Sequence, residues 1–445
     1  MKAALRRVLV AGLLTGLAAT GTVPAQAKAT DFGAWVRAPN LHEGHVAHTA
    51  TLLKDGRVLI AGGTHVDGVA RARSELFDPR ANRWTRAADM IHARAGQAAT
   101  LLADGNVLVS GGETGLGIFP IEVLASAEIY HPASNFWTAV APMHASRRWH
   151  SSARLHDGRV LVIGGTNLAP GSPLPAAEQE QAEVYDPKRD SWSLAGTGLP
   201  PLSGQAATLM PGGAVLVTGG STDTGFATLS AELFDPATNR WQPTTWPMAT
   251  ARYGHTATLL PDGKVLLVGG YSTQTQISGG FIYPSSEFLT TSEMFDLRGN
   301  TGIRVGYSRI PRFEHTATLL RSGSVLVVGS ASASNADSQI FDPKNTEQWT
   351  STGRQMDRYL HTATMLADGR VLIAGGFGVG SPTTAWIFSA VPGISTPSGY
   401  PPLLLAASAG VLLTLLIIGL VASSGRLSRR PAGTTRADDS KWIES

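Results

Sequence analysis

Cysteine is absent from the 445-residue chain. That absence excludes a disulfide framework, thiolate zinc and iron–sulfur sites, and cysteine nucleophiles together. Charge is sparse: Asp, Glu, Lys and Arg make up 16% of the chain and aromatic residues 7%. A phosphate-cradling glycine loop, a Ser-His-Asp pattern and an isolated carboxylate pair are also missing. Turn formers are abundant, with 50 Gly and 26 Pro, too many for a helical bundle and without a collagen period. Hydrophobic residues at 43% and ten Trp are enough to bury a large core, which excludes an intrinsically disordered chain.

The formal charge of +3 belongs to the ends. Residues 1–27 carry Lys2, Arg6 and Arg7, then the apolar run VLVAGLLTGLAATG and the Ala25-x-Ala27 pattern, which reads as a signal peptide. Residues 403–422 form an uncharged run of 20, about 30 Å as a helix and therefore about one bilayer core. Arg426, Arg429 and Arg430 follow it, and positive charge beside a span marks the cytoplasmic side. The expected layout is a signal peptide (1–27), an ectodomain (28–388), a Pro/Gly/Ser stalk (389–402), a transmembrane helix (403–422) and a short cytoplasmic tail (423–445). The expected location is a single-pass protein of the cell membrane with its N-terminal body outside. Without the two ends, 28 basic and 30 acidic residues remain, net −2. Nucleic acid is therefore not an expected partner.

The middle is one unit written seven times. Its first line begins at Ala47 (AHTATLLKDGRVLIAGG) and returns at Gly96, Trp149, Gly204, Gly254, Glu314 and Leu360. The second glycines, with Ser330 in the sixth unit, fall at 63, 112, 165, 220, 270, 330 and 376. A second line follows, as in SELFDPRANRW, AEIYHPASNFW and AELFDPATNRW. The spacing predicts four short antiparallel strands per unit. Asp-Gly pairs such as Asp55-Gly56 are expected to form two-residue type I′ hairpins, and the Asp-Pro turns to end the third strand. One such sheet cannot bury both faces alone, so a ring of blades is expected. Trp35 stands 13 residues before His48, as Trp84 does before Gln97, so an N-terminal strand is expected to complete blade seven. In blade five, Leu297 replaces proline and no Trp stands near Gly302, which makes its outer strand the least regular.

A strand ending in Gly-Gly, then an aromatic with Asp-Pro, then Trp, resembles the kelch repeat, over about residues 31–388. The HTATLL version is similar to bacterial kelch proteins and to the propeller domain of the galactose oxidase family. The resemblance implies an all-β, seven-bladed kelch β-propeller closed by an N-terminal strand, here with one C-terminal transmembrane helix. In the galactose oxidase family the regions matching Tyr253-Gly-His255 and Tyr359-Leu-His361 contribute copper ligands, and another Tyr is cross-linked to a Cys. That cross-link cannot form here, and no cofactor or metal is expected.

The repeated His48, His150, His255, His315 and His361, with Gln97 and Gln205 in the same slot, share a strand face with the Ala and Leu that follow. They are expected between blades, hydrogen-bonded to backbone. The repeated Glu75, Glu128, Glu183, Glu232 and Glu293 are likewise expected to be structural. Chain direction puts the long insertions 113–127, 166–182 and 271–292 on one face. The candidate binding rim there comprises Arg94, Arg147, Arg252, Arg312 and Arg358, with Tyr253, Phe313, Tyr359, Tyr271, Phe281, Tyr283 and Phe288. Arginines with aromatics around a mouth suit sugars, carboxylates or a peptide loop. The same arginines could instead brace the rim by bonding loop carbonyls. Three functions stay open: a binding protein for a glycan or protein ligand, a cofactor-independent carbohydrate-active enzyme of the epimerase or mutarotase type, and a structural envelope protein. No catalytic residue is assigned.

Overall fold

The computed structural model describes residues 28–390, apart from 31–32, 117–120, 168–181, 198–201, 223–224, 279–280, 299–300, 309, 331–335, 346–348 and 379. The signal peptide, transmembrane helix and tail expected from sequence lie outside the described residues, as does the stalk beyond Ala390. Among the described residues no helix is long and apolar enough to cross a membrane.

Seven four-stranded antiparallel sheets surround one axis. Blade one runs Thr49–Leu52, Val58–Ala61, Ser74–Asp78 and Arg83–Arg86, from the axis outward, and the other blades repeat that order. Each inner strand neighbours the inner strands of the blades on either side, and the seventh neighbours the first. Blade seven takes Thr362–Met365, Val371–Ala374 and Ala385–Ala390 from the end of the propeller and Gly33–Ala38 from its beginning. Trp35 pairs with Phe388, the closure expected from its spacing. Lys28–Thr30 adds a fifth strand outside it.

The inner and second strands read Thr-Ala-Thr-Leu and Val-Leu-Ile-Ala because both of their faces are buried. Of eight apolar core clusters among the described residues, seven lie one at each seam between blades, and the eighth joins Val46, Ala47, Ala95 and Leu360. Full burial of each large aliphatic side chain contributes roughly 1.5–3 kcal/mol. The outer-strand tryptophans tie the seams together: Trp137 packs on Tyr130 with ring centroids 5.1 Å apart and donates its indole N–H to the Ala88 carbonyl of the preceding blade at 2.9 Å.

Two expectations are corrected. The Asp-Gly turns are three-residue turns: Gly56 alone is left-handed (φ 90°), its N–H bonds to the Leu53 carbonyl, and the Asp55 carboxylate accepts the Arg57 N–H at 3.0 Å. That acceptor keeps Asp55 at negative φ, which a type I′ turn forbids. The segment after blade five's Gly-Gly is a hairpin, Tyr271–Ser278 paired with Phe281–Phe288, rather than a loop. Blade five's outer strand runs Thr301–Tyr307 and joins the sheet through a bulge at Thr291/Glu293, in keeping with the irregularity expected there.

Candidate functional site

The mouth of the ring is built from the residues that lead into each inner strand. Ala47, Trp149, Glu314 and Leu360 stand immediately before the His of their blades, and Gly96, Gly204 and Gly254 hold the same slot elsewhere. All seven are left-handed, with φ from 50° to 69°. This turn brings neighbouring backbones together: the Ala47 N–H donates to the Leu360 carbonyl (3.0 Å), Gly96 to Ala47 (2.9 Å), Trp149 to Gly96 (2.9 Å), Gly254 to Gly204 (2.9 Å) and Leu360 to Glu314 (3.2 Å). Five of the seven junctions around the axis are thus linked head to tail.

Beneath this circle the repeated histidines are fully buried between blades, as expected, but their partners are hydroxyls rather than backbone. His48 Nε2 lies 2.9 Å from Thr362 Oγ1, His255 Nε2 2.9 Å from Thr218 Oγ1 and His361 Nε2 3.0 Å from Thr316 Oγ1, each hydroxyl belonging to the preceding blade. Gln97 donates to the Ala61 carbonyl at 2.8 Å. Burial, with nearby Arg252, pushes His255 down to about 3. Burial likewise holds His150, His315 and His361 well below the usual histidine range.

The five candidate arginines are braces. Arg94 donates to the Gly111 carbonyl (2.7 Å) and Glu128 (2.6 Å), and Arg147 to Gly164 (2.9 Å) and Glu183 (2.8 Å). Arg252 repeats this with Gly269 and Glu293. Arg312 takes Gly329 (2.7 Å) and Gln339 (2.8 Å), and Arg358 takes Gly375 (2.9 Å) and Thr384 (2.7 Å). All five are buried, and the bonds they make are those of the bracing role open in the sequence. In blade one His45 does the same work, with Nδ1 donating to the Gly62 carbonyl (2.7 Å) and Nε2 3.2 Å from Glu75. These bonds and those from His42 outweigh burial and hold Glu75 down to about 2. The Gly-Gly pair accommodates the brace: a Cβ on Gly62 would stand 2.5 Å from the Arg94 carbonyl oxygen.

The aromatic candidates divide. Tyr253, Tyr271, Phe288 and Phe313 form one cluster, with centroids 4.9–5.9 Å apart. Phe288 is 39% exposed, and Tyr271 and Phe288 begin and end the hairpin of blade five. Tyr359 stacks separately on Phe377 at 5.8 Å. Phe281 and Tyr283 lie on the hairpin's second strand, opposite Ser278 and Gln276.

Reasoning from repeats missed what does not repeat. Glu314 is the one acid in the axial slot, where the other blades carry Ala, Gly, Trp and Leu; the misfit was readable by aligning the units. Its carboxylate has no ion-pair partner among the described residues, and burial pushes it up to about 7. Tyr253 is close enough to feel its charge. Across the mouth, Arg148 is ion-paired with the buried Glu113.

Residues 47–270, half of the chain, match the KLHDC2/KLHL20/DRC7 Kelch-repeats domain. The chain belongs to the kelch-repeat family. Curated relatives of this kelch propeller include Kelch-like protein 34 of Homo sapiens, 31% identical over 137 residues (30% of this chain, 20% of that protein). The F-box/kelch-repeat protein SKIP20 of Arabidopsis thaliana is 30% identical over 115 residues (24% and 25%). The chain thus spans about a fifth to a quarter of the length of these relatives. In fold it is similar to a fungal alcohol oxidase of the AA5 family in complex with copper (TM-score 0.61, 20% identity, 80% of this chain and 76% of that one). It is also similar to YjhT (TM-score 0.53, 18% identity, 71% and 99%).

The kelch propeller does not offer the donors of a copper radical centre. It has no cysteine to cross-link a tyrosine. His255, in the matching region, is buried with Nε2 on Thr218, and among the described residues no group of three His, Cys, Asp or Glu side chains is placed to hold a metal ion.

Proposed function

We propose that this kelch propeller is an extracytoplasmic binding protein, held at the cell membrane by its C-terminal segment, that docks a glycan or protein ligand on the mouth at blades five and six. The observation that carries this reading is the Tyr253, Tyr271, Phe288 and Phe313 cluster, part-exposed and continuous with a hairpin that no other blade has among the described residues. Aromatic rings supply contact area at low entropic cost, and insertions on a rigid scaffold are where binding residues concentrate. The end segments support the location through their charge and hydropathy pattern. Kelch relatives named for F-box proteins are consistent with a binding role for the propeller.

The test uses glycan-array and pull-down screens of the full chain against a variant in which 271–288 is replaced by a short Gly-Ser turn. Loss of the detected ligand is expected; an unchanged set of interactions refutes the reading.

Glu314 favours a second reading, a cofactor-independent epimerase or mutarotase in which this carboxyl transfers a proton near neutral pH. Sugar mutarotation followed by NMR would then fall by about 10²-fold or more in Glu314→Gln. Identical rates in the wild type, the variant and buffer eliminate it.

A further inference from the structure

Five of the seven blades pair their brace with an acid or amide on the third strand, and blade four carries the acid alone. Arg94, Arg147 and Arg252 meet a Glu, Arg312 meets Gln339, His45 meets Glu75, and in blade four Glu232 stands without an arginine. Blade seven differs. Its register pairs Ile373 with Trp386 where blade one pairs Ile60 with Glu75, so Trp386 occupies the acid's position and Arg358 has no carboxylate. Arg358 is 6% exposed and bonds only to the Gly375 and Thr384 carbonyls and the Thr384 hydroxyl.

Two more guanidiniums converge on this seam. Arg354, at the end of blade six's outer strand, lies with Cζ 3.3 Å above the Trp386 ring centroid, and its buried Nε has no hydrogen-bond partner. Arg37, from the closing N-terminal strand, donates to Asn40 at 3.2 Å. Among the described residues none of the three is ion-paired to a carboxylate. The neighbouring Asp357 spends Oδ1 on the Ala336 N–H at 2.8 Å. The three arginines, with Asn40, Thr384 and Trp386, line a cavity of about 420 Å³. Burial and then Arg37 lower the Arg354 pKa, and burial and then Arg354 lower that of Arg358 to about 10. The cations therefore repel one another, and among the described residues none of them is ion-paired to Asp357, the carboxylate that also lines the cavity.

We propose that the seam between blades six and seven is a binding site for a small oxyanion, a carboxylate or a phosphate, held between Arg37, Arg354 and Arg358. Guanidinium forks match both classes bidentately, and the cavity is of small-ligand size. The site lies on the same face as the mouth but at its outer margin, so it is independent of the aromatic cluster. Since Arg37 comes from one end of the propeller and Arg354 and Arg358 from the other, a bound anion bridges the ring's closure.

The test is thermal melting and titration calorimetry of the full chain with inorganic phosphate, with succinate, and with chloride at matched ionic strength. Saturable binding of phosphate or succinate with a rise in Tm is expected, and no such rise in chloride. The oxyanion giving the tighter binding assigns the class. Arg354→Gln should weaken that binding about tenfold or more while melting no lower than wild type in chloride, because it relieves repulsion. Arg37→Gln, at an exposed position, should weaken binding in the same direction. Equal melting in all three salts, or unaltered affinity in both variants, overturns the proposal.

Discussion

Glu232 and Glu293 hold the same register position, opposite Val217 in blade four and Leu267 in blade five, yet their surroundings differ by one residue. Arg252 neutralises Glu293; blade four has Leu202 in place of the arginine, so Glu232 keeps only the Ser230 hydroxyl at 3.3 Å. Burial then raises the Glu232 pKa against that hydrogen bond. An acid with a raised folded pKa favours the fold at low pH and loses that contribution as pH climbs from its unfolded value through its folded one. Glu232→Gln is therefore expected to leave stability at pH 4 unchanged and to raise it by up to about 1 kcal/mol at pH 8. Glu293→Gln should instead cost roughly 1–3 kcal/mol, because Arg252 stays buried with its charge uncompensated. Urea denaturation at the two pH values checks both, and equal effects would contradict the brace assignment.

At the scale of the strand, the buried histidines make the propeller acid-sensitive. His255 is held to about 3 by burial and then Arg252, so below pH 6.5 an unfolded chain binds a proton that the folded one refuses. Stability is complete above about pH 6.5 and falls as pH drops toward 3. Gln97 and Gln205 occupy this slot in blades two and four, so Gln fits the space. His255→Gln should leave stability at pH 8 within about 1 kcal/mol of wild type and reduce its pH dependence between 6 and 4 by about 1.4 kcal/mol per unit. An unchanged slope means that His255 is protonated in the fold.

The inner strands were legible because burial on both faces leaves the repeated HTATLL run and the second Val-Leu run. The blade-five hairpin was not, since YSTQTQIS has no two-residue apolar alternation to mark a strand. The turn type was misjudged at Asp55 because its side chain, not its φ preference, decides the geometry. Arg354 and Trp386 were invisible as a site because only the ring's closure brings residue 37 beside residue 354.

For the whole molecule, the closing strand bears on two seams at once. Trp35 is 3% exposed, packs 4.9 Å from Phe388 and donates its indole N–H to Thr352 of blade six at 3.0 Å. Trp35→Ala should cost about 3–5 kcal/mol, and Trp241→Ala, at a part-exposed site, clearly less. Guanidinium denaturation ranks the two; equal losses would mean that closure is no more demanding than any other seam.

The way the ring is closed also sets how it responds to tension. Gly33 pairs with Ala390 and Ala38 with Ala385, so the chain joins and leaves the propeller at the same end of one pair of strands. A pull applied between the two ends loads the hydrogen bonds of that pair one after another, as a zipper opens, rather than all together in shear. Lys28–Thr30 would peel away first and the Gly33–Ala38 row next, while the other six blades carry no load. If the C-terminal segment is tethered, the propeller's mechanical weak point is the strand that completes it.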